Sequence, residues 1–419
     1  MARFIVEGSC NKLSGKLTVQ GSKNGALPLL SASVLVAGES VFTGCPKLTD
    51  IRAAENILTY LGCRVNENAS AICVDSTDAY RYAIPDGLMR EMRSSIVFLG
   101  ALLGRFGRAE LTAPGGCEIG LRPIDLHLEA MRALGAVIDE TGGRLVCSCP
   151  NGLKGARISL SFPSVGATEN ILLAACTANG DTLVINAARE PEVAELAEYL
   201  NSCGAKIFGA GESVIRIEGV KRLNASCHTV WQDRIAAVTY MSAAAVTGGD
   251  LWLDMKRTEL LLPVVEPFEK MGCTVDLRPD AVRFKGADRL DKFGMVRTLP
   301  FPGFPTDSQA DFAVMASVAR GTSTIVENIF ENRFKYVCEL RRMGAQIRTE
   351  NRIAIIEGVS RLSGAEVTSP DLRGGSALVV AALCSDSVTV VDDIYHIDRG
   401  YENFEKQLEN LGVKIKREE

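Results

Sequence analysis

The stretch YLGCRV at residues 60–65 reads as the last turn of a helix, a glycine that stops it, and the first residues of a strand. Ahead of it, Ile51, Ala54, Ile57, Leu58 and Leu61 recur at helical spacing and predict one apolar face. The phrase returns as ALGAVI (133–138), SCGAKI (202–207), KMGCTV (270–275), RMGAQI (342–347) and NLGVKI (410–415). Its glycines, Gly62, Gly135, Gly204, Gly272, Gly344 and Gly412, are 73, 69, 68, 72 and 68 residues apart. A period near 70 is too long for a common solenoid and fits a repeated α+β unit.

Around each phrase the pattern is consistent. Alternating segments such as KIFGAGESVIRIEGV (206–220) and QIRTENRIAIIEGV (346–359) follow it and predict hairpins. Before it lies a second helix, apolar on nearly every side, as in NILLAAC (170–176), DFAVMASVA (311–319) and SALVVAALC (376–384). A helix of that kind belongs inside the protein. The last repeat ends at GVKIKREE with half a hairpin, and residues 4–19 resemble residues 354–369, so the N-terminal strand is expected to close repeat six. The reading is a two-lobed α/β protein of six units, three per lobe, with lobe one at residues 23–231 and lobe two at 1–22 and 232–419.

Composition narrows the function classes. A chain of 419 residues exceeds one compact core. With 47% hydrophobic residues, 23% charged residues and a net charge of −5, it is neither a disordered chain nor a nucleic-acid binder. MARFIVEG is no signal peptide, and no apolar run spans a membrane, so the expectation is a cytoplasmic protein. Thirteen cysteines without a CxxC pair predict reduced thiols, and Cys147 and Cys149 read as core residues on a strand. Histidines at 127, 228 and 396 show no ligand spacing, so no metal is expected. No phosphate-binding glycine motif occurs either; GAGES at 209 lacks the third glycine.

Polar residues gather where the apolar helices begin: GSKNGA, MRSS, PSVGATEN, WQDR, PTDSQA and DLRGG. Helix N-termini attract anions, and Lys23, Arg93, Arg234 and Arg373 add positive charge that opposes the helix dipole unless an anion is present. Simpler roles stand beside this one: Ser164, Asp233 and Asp307 suit N-caps, Asn24 a turn, and Arg333, Arg342 and Arg399 exposed ion pairs. Cys117, in APGGCEIGLRPIDLH (113–127), sits in a predicted turn ahead of Arg122, a placement packing does not explain.

Together GSKNGALP, PGGCEIGLRPIDLH, FPSVGATENI, NAAREPE, FPTDSQA, ENIFENRF, DLRGGSAL and HIDRGY closely resemble the bacterial UDP-N-acetylglucosamine 1-carboxyvinyltransferase family across essentially the whole chain. That resemblance implies a pair of inside-out α/β barrels and enolpyruvyl transfer from phosphoenolpyruvate to the 3-hydroxyl of UDP-N-acetylglucosamine, the first committed step of peptidoglycan synthesis. It implies no cofactor and only these small-molecule partners. Cys117 then resembles the family's proton donor, the thiol that fosfomycin alkylates, and Asp307 the general base or positioning group. Lys23, Arg122 and Arg399 resemble phosphate contacts, and Arg333 and Arg373 carboxylate contacts. Asn24, Arg93, Arg122, Pro123, Ile124, Asp125, Leu126, Ser164, Val165, Gly166 and Ile329 match positions lining the nucleotide-sugar site. One departure is VWQDRIAAVT, where the family usually has IPDRIEAG; altered packing is expected around Trp231. Rival readings are transfer to shikimate 3-phosphate and a non-catalytic UDP-sugar-binding paralogue.

Overall fold

All six repeat glycines adopt the left-handed conformation, with φ between 86° and 100°. The helices they follow are Thr49–Leu61, Asp125–Ala133, Pro191–Ser202, Leu262–Lys270, Tyr336–Arg342 and Phe404–Asn410. In each, the amide after the glycine bonds back across the helix end, as from Cys63 to the Leu58 carbonyl at 3.0 Å and from Val413 to that of Leu408 at 3.0 Å. This closure satisfies carbonyls that the helix leaves open and turns the chain into a strand. The computed structural model describes residues 2–8, 12–68, 70–112 and 123–419.

The described residues divide into two compact units, residues 21–112 with 123–231, and residues 2–20 with 232–419. Each has its own apolar core. Three sheets belong to each unit, and no single closed barrel of strands forms among the described residues. In repeat three, Asp181–Ile185 pairs antiparallel with Val214–Glu218 and parallel with the edge strand Arg157–Ser159, while Lys206–Phe208 completes the hairpin.

Two junctions show how the repeats close within each unit. Cys227–Thr229, from the end of repeat three, pairs parallel with Glu39–Thr43 of repeat one. In the other unit, Ser14–Thr18 pairs parallel with Asp250–Asp254 of repeat four, and Arg3–Val6 lies antiparallel between Thr389–Asp392 and Ile415–Glu418. Chain start and chain end therefore share a sheet.

The second helix of each repeat is buried: Lys23–Ala32, Phe98–Phe106, Val165–Ala175, Arg234–Thr247, Gln309–Ser317 and Leu372–Leu383. Close approach has a sequence cause. A side chain at Gly100 would strike the Asn170 carbonyl of the neighbouring helix. Two of these helices are entered through a 3-10 turn, Phe98–Phe106 through Arg93–Val97 and Gln309–Ser317 through Thr306–Ser308. Cys147 and Cys149 are buried, and no cysteine among the described residues forms a disulfide.

Candidate active site

In the unit containing the chain ends, the 3-10 turn Thr306–Ser308 presents Asp307 to two guanidinium groups. Arg333 Nη2 donates to Asp307 Oδ1 at 2.7 Å, and Arg373 Nε to Oδ2 at 3.4 Å. Both arginine side chains are almost fully enclosed, whereas that of Asp307 is 27% exposed. The carboxylate is thus the open face of an otherwise buried cationic pair. Of the three arginines whose sequence context suited exposed ion pairs, Arg342 fits that role, bonding to Glu339 at 3.2 Å on the surface; Arg333 does not.

The supports are local. Asp371 caps the helix Leu372–Leu383, accepting from the amides of Arg373 and Gly374 at 3.0 Å each, and so places Arg373 in the first turn. Burial works against the Arg373 charge, but Tyr401, Asp307 and Asp233 outweigh it, so the guanidinium stays protonated. Glu327, buried, accepts from the amides of Ile329 and Phe330 and from the hydroxyls of Thr298 and Thr306. That carboxylate ties the Ile329 loop to the turn bearing Asp307. Arg399, half-buried, follows the short helix Tyr395–Asp398, and Gln20 pins the adjacent segment through the Gly400 carbonyl and the Glu402 amide.

In the other unit, Lys23 opens the helix Lys23–Ala32, capped by Ser22, and its Nζ donates to Asp50 Oδ2 at 3.1 Å. Asn24 is exposed beside it. Beneath that helix end lies Glu195, which accepts from the Trp231 amide at 2.6 Å and shares a hydrogen bond with His228 Nε2 at 3.3 Å. Its carboxyl abuts Gly25, where any side chain would collide with it. Burial pushes Glu195 upward, against the bonds from His228 and Trp231.

Ser164 caps Val165–Ala175 and accepts from the Ala167 amide, with Val165 and Gly166 forming the first turn. A Cβ on Gly166 would meet the His127 ring at 2.9 Å; that ring bonds Asn170 through Nδ1 at 2.8 Å. Pro123 and Ile124 lead into the helix that Asp125 and Leu126 begin, and Arg93 opens its 3-10 turn, half-buried. Cys117 and Arg122 lie outside the described residues.

Two features differ from the sequence reading, and one agrees with it. Anions opposite Lys23 and Arg373 are, in this structure, the protein's own Asp50 and Asp307. Asp233 is an N-cap, accepting from the amides of Ile235 and Ala236 at 2.8 and 3.1 Å. Asp307 is not: it lies within a 3-10 turn whose N-cap position is Pro305, and Ser308 holds the N-cap position of the helix that follows. Asp50 and Glu195 lie in no stretch that the sequence marks out, whereas Glu327 opens ENIFENRF, Thr239 closes VWQDRIAAVT, Asp311 opens the apolar run DFAVMASVA and Tyr401 closes HIDRGY, though nothing in those stretches gave the four their supporting roles.

The described residues hold no group of side chains suited to a metal ion, and no described helix is long and apolar enough to cross a membrane.

The family profile described as EPSP synthase (3-phosphoshikimate 1-carboxyvinyltransferase) matches residues 8–408. The chain is 46% identical over its whole length to a UDP-N-acetylglucosamine 1-carboxyvinyltransferase 2 of Caldanaerobacter subterraneus subsp. tengcongensis, all of which it covers. It is also 46% identical to a UDP-N-acetylglucosamine 1-carboxyvinyltransferase 1 of Symbiobacterium thermophilum, over 99% of this chain and 95% of that one. Among solved structures, the enolpyruvyl transferase NikO from Streptomyces tendae superposes with a TM-score of 0.90 at 23% identity, covering 99% of this chain and 98% of NikO. EPSP synthase from Acinetobacter baumannii gives 0.76 at 20% identity, with both chains fully covered. These last two likenesses concern the fold alone.

Proposed function

The chain belongs to the enolpyruvyl transferase family described as EPSP synthase (3-phosphoshikimate 1-carboxyvinyltransferase), and from that membership we propose that it transfers enolpyruvyl from phosphoenolpyruvate to the 3-hydroxyl of UDP-N-acetylglucosamine. The observation that carries the choice of acceptor is the 46% identity, over the full length of both chains, to a relative named for that sugar nucleotide. In a bacterium this reaction supplies peptidoglycan synthesis.

The chemistry asks for an acid, a base and fixed cations. A proton adds to the methylene carbon of phosphoenolpyruvate, and the sugar hydroxyl bonds to the adjacent carbon as it loses its own proton. From the tetrahedral adduct, a methyl proton and the phosphate then depart, restoring the vinyl group on the new ether. Cys117 is assigned the proton donation and Asp307 the hydroxyl, as base or as positioning group. Lys23, Arg122 and Arg399 are assigned the phosphate, and Arg333 and Arg373 the carboxylate. The planar, permanently charged forks of these arginines suit bidentate contact with such groups. Asn24, Arg93, Pro123, Ile124, Asp125, Leu126, Ser164, Val165, Gly166 and Ile329 are assigned to the nucleotide sugar.

Phosphate release from phosphoenolpyruvate tests this reading. Release is expected only with UDP-N-acetylglucosamine present, and fosfomycin is expected to stop it by alkylating Cys117, with Cys117→Ser escaping the label. Release driven by shikimate 3-phosphate instead would overturn the acceptor; UDP-sugar binding without release would overturn the enzymatic reading.

A further inference from the structure

Behind Arg373 runs a line of buried hydroxyls that ends on a carboxyl the reaction above does not use. Arg373 Nη1 donates to Tyr401 Oη at 2.9 Å. Tyr401 Oη lies 2.8 Å from Thr239 Oγ1, which in turn lies 2.8 Å from Asp311 Oδ2. Ser376 Oγ stands 3.1 Å from the same phenol oxygen. All five residues are 4% exposed or less, so water does not compete for these bonds.

Counting protons fixes their direction. An ionised carboxylate can only accept, so Thr239 must give its single proton to Asp311 and Tyr401 must give its own to Thr239. Both lone pairs of the phenol oxygen then face Arg373 and Ser376, and the chain carries negative charge toward the guanidinium. A neutral Asp311 withdraws that charge. It also permits the opposite order, in which Asp311 donates to Thr239, Thr239 to Tyr401, and Tyr401 to Ser376. The Arg373 bond keeps the guanidinium charge but then loses the polarisation that the carboxylate passes along the chain.

We propose that Asp311, acting through Thr239 and Tyr401, is a positioning residue that holds the Arg373 guanidinium in register with Asp307 and with the substrate carboxylate. The inference rests on the assignment of Arg373 to that carboxylate. The titratable groups facing Asp311 are Arg373 on Leu372–Leu383, Tyr401 after Tyr395–Asp398, and Tyr336 on Tyr336–Arg342; Arg234–Thr247 offers it only the Thr239 hydroxyl. Burial pushes Asp311 up to about 7, against the Thr239 bond and the Arg373 charge, and its Oδ1 has no hydrogen-bond partner. The chain therefore changes character near neutral pH.

The test is the pH dependence of KM for phosphoenolpyruvate in wild type, Asp311→Asn, Thr239→Val, Thr239→Ser and Arg373→Ala. Asp311→Asn is expected to raise this KM about 3- to 10-fold near pH 8, the worth of weakening one hydrogen bond. By about pH 6, where wild-type Asp311 is neutral, the difference should vanish. KM for UDP-N-acetylglucosamine should stay unchanged throughout. Thr239→Val should repeat the effect and Thr239→Ser should restore wild-type behaviour, which decides the matter even if Asp311→Asn folds poorly. A raised KM in Arg373→Ala beside wild-type profiles in Asp311→Asn and Thr239→Val overturns this inference alone. An unchanged KM in Arg373→Ala overturns the carboxylate assignment and the inference with it.

Discussion

Arg333 and Asp307, 26 residues apart, meet through a 2.7 Å bond between a buried guanidinium and a partly open carboxylate. With Arg373 on its other oxygen, Asp307 is fixed in place by two cations while one side remains open to solvent. Asp307→Asn keeps the shape and removes the charge. Loss of a group acting as base or positioning the hydroxyl should lower kcat by about 10²- to 10⁴-fold. Steady-state kinetics check this, and a kcat within a few-fold of wild type would remove Asp307 from the reaction.

Lys23 and Asp50 make a second pair with little exposure, 12% and 3% at their side chains. Asp50→Asn leaves the ammonium without its carboxylate and should lower unfolding stability by about 3 kcal/mol. If Lys23 receives the substrate phosphate, millimolar inorganic phosphate should restore part of the loss in urea titrations. Equal recovery in the Asp50→Asn, Lys23→Met double variant would place the phosphate elsewhere.

Stability should also depend on Asp311. Its pKa in the folded protein is raised from 3.8 to about 7, so the folded state binds the extra proton between those values. Stability from this group is greatest at low pH and declines as pH rises through that window. Asp311→Asn cannot ionise, so its stability relative to wild type should climb by up to about 1 kcal/mol per pH unit from pH 4 to 7. Parallel stability curves for the two proteins would show that Asp311 does not titrate in that range.

The repeat glycines offer a test of the fold. Gly344 and Gly62 share the left-handed conformation, with φ of 89° and 98°. A Cβ on Gly344 would meet open space, so Gly344→Ala should cost only the backbone term, about 1–2 kcal/mol. A Cβ on Gly62 would lie 2.8 Å from the Tyr80 ring, so Gly62→Ala should cost more unless Tyr80, which is 62% exposed, swings away. Denaturant midpoints of the two variants, with Tyr80→Ala in the Gly62→Ala background, separate conformation from collision.

The repeat architecture was legible because it is written locally. A helix face, a left-handed glycine and an alternating strand lie within about twenty residues of one another, six times over. The polar caps were legible for the same reason, since Ser164 and Asp233 cap amides two or three residues away. What escaped was long-range. Residue type and local pattern do not separate Arg333, which is buried against Asp307, from Arg342, which is paired on the surface; only the family resemblance of ENIFENRF set Arg333 apart. Likewise Thr239 finds Asp311 across 72 residues and Tyr401 across 162, and residues from three repeats become a connected chain only when the repeats stack.

The identity of the product examines the whole account at once. Mass spectrometry of a reaction containing phosphoenolpyruvate, UDP-N-acetylglucosamine and shikimate 3-phosphate together should find the enolpyruvyl group on the sugar nucleotide alone, joined through its 3-oxygen. Enolpyruvyl on shikimate 3-phosphate, or both acceptors recovered unchanged, would contradict it.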